Sequence, residues 1–160
     1  MATQSDAQRR LVLHGAVILL VGLLCGYLAV FEEVGRSGRT WQAAHAALLL
    51  TGVWLIATAA VLPLLELPRR ERTALLLSLT GGAYSFMTAV VVQAATGVRA
   101  ISPDVRGIGL VAFAANLLAV LGTILAASLT ILGAWNALRT SRREAAAEPV
   151  DPAPSLEAGV

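Results

Sequence analysis

Four uninterrupted apolar runs decide what this chain can become. They cover residues 11–31, 43–64, 73–96 and 108–135, and none contains Asp, Glu, Lys or Arg. Crossing a hydrocarbon core of about 30 Å takes roughly 20 mostly apolar residues in a helix, so each run is long enough. In that layer no water is available to bond the backbone, which leaves only helices and closed barrels. Barrel strands alternate apolar and polar residues, and these runs do not. The expected fold class is therefore all-α: a polytopic membrane protein built as a bundle of four transmembrane helices.

Composition agrees. Hydrophobic residues make up 57% of the chain and charged residues 14%, against roughly 25% charged in a soluble domain. The formal net charge of +2 is too small to suggest nucleic-acid binding. The connections 32–42, 65–72 and 97–107 are short, so successive helices must run antiparallel. The domain plan is a short N-terminus over 1–10, a transmembrane domain over 11–138 and a tail over 139–160. That tail is rich in Ala, Pro and Glu, has no periodic apolar face and is expected to be disordered. No internal repeat is evident, which argues against an inverted-repeat transporter.

Orientation follows from arginine, since the chain has no lysine. Arg9, Arg10, Arg69, Arg70, Arg72, Arg139, Arg142 and Arg143 fall on one side, and Arg36, Arg39, Arg99 and Arg106 on the other. The positive-inside rule then puts both termini in the cytoplasm, with the cytoplasmic membrane as the location. Trp41 and Trp135 fall at opposite helix ends, where an aromatic belt would place them. The first run is expected to be a retained helix. Leu24 is too large for the small residue a lipoprotein cleavage site needs before Cys25, and the run is long for a signal core.

Residues able to carry chemistry are few. One cysteine, Cys25, forms neither an internal disulfide nor a zinc or iron–sulfur site. No phosphate-binding glycine loop, paired intramembrane carboxylate or nucleophile with an adjacent base is present. Any catalysis would need a cofactor. The two histidines are His14, near the inner end of the first helix, and His45, near the outer end of the second. A histidine inside an apolar segment is a functional candidate and a common metal and haem ligand. It can equally be an interfacial residue bonded to a headgroup or a carbonyl, and His14 fits that reading better than His45. The two lie at depths that differ by roughly 20 Å at 1.5 Å per residue. Axial ligands of one iron must approach to about 4 Å, given metal–nitrogen bonds near 2 Å. Bis-histidine haem ligation within one chain, and with it a standard electron-transferring b-type cytochrome, is excluded. A haem on His45 would keep an open face, which suits substrate binding.

Other polar groups in the runs are mild. Ser and Thr in membrane helices mostly bond to backbone or across helices. Tyr84, Gln93 and Asn116 need partners in lipid and should face the bundle interior. Gly22-Leu-Leu-Cys-Gly26 is a GxxxG that permits close helix packing, and Gly81-Gly82 permits a close approach or bend.

Several segments together resemble the styrene oxide isomerase family of small four-helix membrane proteins. They are His14-Gly15, Phe31-Glu32, Trp41-Gln42-Ala43-Ala44-His45, Thr51-Gly52, Val61-Leu62-Pro63 and Thr73-Ala74-Leu75-Leu76. The likeness covers most of the chain up to about Tyr84; the fourth helix matches mainly in character. It implies a haem b bound by His45 through its iron, and a homotrimer. It also implies an epoxide isomerase acting on a small apolar substrate. Ferric iron polarises the epoxide oxygen, the C–O bond opens, hydride shifts to the neighbouring carbocation and an aldehyde forms, without net redox change. Two positions depart from the family. Thr51 stands where the family has Asn six residues after the ligand. The family's helix-three Tyr falls on Val90, or on Val92 if the loop is two residues longer. Thr51 and Tyr84, the only tyrosine of that helix, are the remaining candidates for the catalytic roles. The resemblance thus implies haem binding at His45 more directly than isomerisation. The alternative reading is a small membrane scaffold or subunit without cofactor.

Overall fold

The computed structural model describes residues 4–31, 36–98 and 107–147. Within them the chain is all-helical: α1 (Gln4–Phe31), α2 (Arg36–Val61), a single 3-10 turn (Leu62–Leu64), α3 (Arg69–Thr96) and α4 (Ile108–Ala147). All four helices are long and apolar enough to cross a membrane. Parts of the expected loops, residues 32–35 and 99–106, and of the expected disordered tail, 148–160, lie outside the described residues, as do residues 1–3.

Local chemistry sets the helix ends. Pro63 sits in the 3-10 turn that follows α2, and Pro68 is the N-cap of α3, consistent with proline's fixed φ and missing donor. Gly97 ends α3 in the left-handed conformation (φ 69°), and its N–H donates to the Gln93 carbonyl, as glycine does at helix ends. α4 continues to Ala147, through the first residues of the expected tail. Composition alone suggested disorder there, but Ala, Arg and Glu are strong helix formers and extend a helix already nucleated. That extension is also anchored. Thr140 Oγ1 donates to Glu66 Oε2 at 2.7 Å, Asn136 Nδ2 donates to the Glu66 carbonyl at 3.2 Å, and the Arg139 guanidinium lies 5.4 Å from the Trp135 ring centroid.

α1 packs antiparallel against α2, and α3 against α4; α3 also touches α1 and α2. Buried positions recur every seven residues: Leu11, Ile18 and Cys25 in α1, Trp41, Leu48, Leu55 and Leu62 from α2 into the turn, and Ala112, Ala119 and Ala126 in α4. A seven-residue period is that of left-handed, knobs-into-holes helix pairs. Outside this seam the surface is apolar, with Leu20, Leu50, Leu77, Leu118 and Ile131 all exposed. Lipid is as apolar as leucine, so helix association in a membrane rests on close packing and hydrogen bonds. The small residues at the crossings supply the former. A Cβ on Gly122 would lie 3.0 Å from both Gly82 Cα and the Ser78 carbonyl oxygen.

One expectation changes in detail. Trp41 is buried against the core and does not form an outer aromatic belt. The exposed aromatics at that end are Tyr27 and Phe31, whose rings lie 4.6 Å apart.

Candidate functional site

The seam between α1 and α2 is a ladder with matching steps. Gln8, Gly15 and Gly22 rise by seven residues, and Ala59, Gly52 and His45 descend by seven. Gln8 Nε2 donates to the Ala59 carbonyl at 3.1 Å. Gly15 and Gly52 approach so closely that a Cβ on either would lie within 2.9 Å of the other's carbonyl oxygen. At the third rung His45 Nδ1 lies 2.8 Å from the Gly22 carbonyl oxygen.

That last bond determines the state of the ring. A carbonyl only accepts, so Nδ1 carries the proton and donates, and in the neutral ring Nε2 keeps its lone pair. This is the tautomer a metal-ligating histidine requires, with the distal nitrogen oriented by a backbone carbonyl. Gly26 completes the cradle: a Cβ there would lie 2.6 Å from His45 Nδ1 and 2.9 Å from Cε1. Of the GxxxG of α1, Gly26 leaves room for the imidazole, while Gly22 lets Leu48 and Leu49 approach and lends its carbonyl to His45. In the sequence the glycines and the histidine stand out only separately. The signal that joins them is the shared seven-residue spacing on two antiparallel helices.

His14 is placed differently. Its Nδ1 lies 3.0 Å from the Tyr84 hydroxyl, and the two rings meet edge to face with centroids 5.6 Å apart. A hydroxyl can donate or accept, so this contact leaves the tautomer of His14 open. His14 and Gly22, the partner of His45, are eight residues apart on α1, about 12 Å at the helical rise; the separation is smaller than the roughly 20 Å expected from the midpoints of the runs, because α2 packs with His45 opposite Gly22.

Of the three site residues expected from sequence, the structure brings none together. Tyr84 is engaged with His14. Thr51 Oγ1 donates to the Ala47 carbonyl at 2.8 Å, and Thr51 lines a cleft of about 300 Å³ with Trp54, Phe86 and Thr123, between α2, α3 and α4. His45 instead faces α1. Most other hydroxyls of the spans bond backward to their own helix, among them Thr58 to the Trp54 carbonyl and Thr130 to the Ala126 carbonyl. Val90 and Val91 pack against the core. Among the described residues no three His, Cys, Asp or Glu side chains gather as a metal cage. A donor set of one oriented imidazole fits a metal whose other ligands come from a macrocycle.

The comparison with known families decides the relationship. The family model for styrene oxide isomerase matches residues 7–135. The chain belongs to the styrene oxide isomerase family. The match takes in the whole seam from Gln8 to Ala59, the α3 segment with Tyr84 and most of α4. It therefore extends the sequence likeness, which was clear only up to about Tyr84. No curated protein and no solved structure gives a match.

Proposed function

We propose that this styrene oxide isomerase family member is an integral membrane protein that holds haem b through Nε2 of His45. Its activity class is the redox-neutral isomerisation of a small apolar epoxide to an aldehyde. Both termini lie in the cytoplasm on this reading. The observation that carries it is the 2.8 Å contact between His45 Nδ1 and the Gly22 carbonyl, which presents Nε2 as a ligand. Haem supplies a Lewis acid with an open face when bound there. The chain's own part is to orient. The Gly22 carbonyl holds the Nδ1 proton and fixes the orientation of the ring, and Gly26 leaves the ring its space. His45 is only half-buried within one chain, so a homo-oligomer, a trimer by family likeness, would complete its surroundings. Val90 and Val92 have no group to orient an epoxide, so turnover on styrene oxide should be slow.

One observation favours a second reading. The His45–Gly22 bond also ties α1 to α2, which is what a structural histidine in a cofactor-free scaffold would do. A visible spectrum of the purified protein separates the two. A Soret band that disappears in His45→Ala supports haem ligation. Colourless protein from haem-supplemented cells overturns it. With haem present, conversion of styrene oxide to phenylacetaldehyde tests the reaction class.

A further inference from the structure

At the arginine-rich end of the bundle, the segment that joins α2 to α3 is strapped to α4. The Glu66 N–H donates to the Gly133 carbonyl at 3.2 Å, Asn136 donates to the Glu66 carbonyl, and Thr140 donates to the Glu66 carboxylate. Leu65 and Leu67 press on Gly133, where a Cβ would meet them at 3.0 Å or less. The strap frames a cleft of about 640 Å³ whose lining includes Arg72, Arg139 and Arg143 with apolar Pro63 and Leu67. Glu66, also on the lining, is the acidic residue of the cleft, and its carboxylate is already bonded to Thr140. Among the described residues none of the three guanidinium groups is ion-paired. Arg139 is instead held over Trp135. Three cations against one acid leave an excess of two positive charges on the lining, and the adjoining first turn of α3 sets Arg69 and Arg70 against Glu71.

We propose that this cleft binds the phosphate of an anionic phospholipid headgroup. Arginine forks match phosphate oxygens, and basic pockets between membrane helices on the cytoplasmic side suit anionic lipid heads. The apolar wall of Pro63, Leu65 and Leu67, with the exposed Trp135 beneath Arg139, points to a lipid rather than a free anion, because these groups give the acyl chains a surface. This inference rests on the membrane reading above but not on the haem.

The test uses the full-length protein in neutral detergent. Its unfolding midpoint is followed on adding cardiolipin, phosphatidylcholine or inorganic phosphate, and native mass spectrometry counts bound lipid. Cardiolipin should raise the midpoint by about 3 °C or more and leave one retained lipid per chain. Phosphatidylcholine and inorganic phosphate should do neither. In Arg72→Gln/Arg143→Gln the shift and the retained lipid should be lost, while Arg9→Gln/Arg10→Gln, at the same end but outside the cleft, should keep both. An equal response to phosphate, equal loss in the two double variants, or no response in the unmodified protein would each overturn the proposal. The Soret band of the same samples reports the haem separately, so failure of one reading is not mistaken for failure of the other.

Discussion

The two histidines of this chain show how a backbone partner and a side-chain partner give one residue type different capacities. His45 meets a carbonyl, which can only accept, so its proton sits on Nδ1 and Nε2 is presented. His14 meets a hydroxyl, which can do either, and its ring is held edge-on by Tyr84. On the proposed reading, the first arrangement prepares a ligand. The second links α1 to α3 and prepares nothing in particular. Both rings are partly buried, both make one hydrogen bond, and both belong to apolar helices. The difference lies in the partner's chemistry, which a list of buried polar residues does not reveal.

Three substitutions sharpen or break that contrast. The largest effect is expected at Gly26→Ala, which sets a methyl group 2.6 Å from His45 Nδ1. The ring must leave its cradle, and haem affinity should fall by roughly 10- to 100-fold, the scale seen when a ligand's outer support is lost. Haem titration monitored at the Soret band reads this, and an unchanged affinity would show that the cradle does not orient the ligand. Next, Gly122→Val crowds the α3–α4 crossing against the backbone of Gly82 and Ser78. It should destabilise the fold by about 1–3 kcal/mol, as overpacking does, while the Soret maximum of the folded fraction stays put. A shifted maximum would mean that the two hairpins communicate through the haem site. The smallest effect belongs to Tyr84→Phe, which removes one hydrogen bond worth about 0.5–1.5 kcal/mol. Its unfolding midpoint should drop slightly with haem content unchanged. Loss of haem in this variant would place His14 and Tyr84 in the cofactor's support after all.

Much of this was legible in the sequence. Four charge-free runs specify four helices because an unpaired backbone group in lipid is so costly. The depth argument that separates His14 from His45 needs only the helical rise. What was hidden was pairwise. The position of Trp41 in the core, the engagement of Tyr84 by His14 and the fit of Gly22 and Gly26 around His45 all depend on how one helix is turned against another. In lipid, where nearly every residue is apolar, the usual contrast between a buried apolar face and an exposed polar face fades, so rotation is poorly encoded residue by residue. It is encoded in the positions of the small residues. The end of α4 illustrates a different limit: its alanines and charges look like a solvated tail until Thr140 and Asn136 are seen to reach Glu66.

α4 carries one further consequence. Its inward positions at Ala112, Ala119, Ala126 and Gly133 are all small, and they form a smooth rail. A smooth rail packs closely but has few teeth, so one heptad looks much like the next to the helix beside it. The sliding position of α4 is therefore set at few places: the Gly82–Gly122 crossing, Leu129 against the core and the clasp of Glu66 at the helix end. A hydrogen-bond cluster at the surface thereby shares in fixing the depth of an entire span.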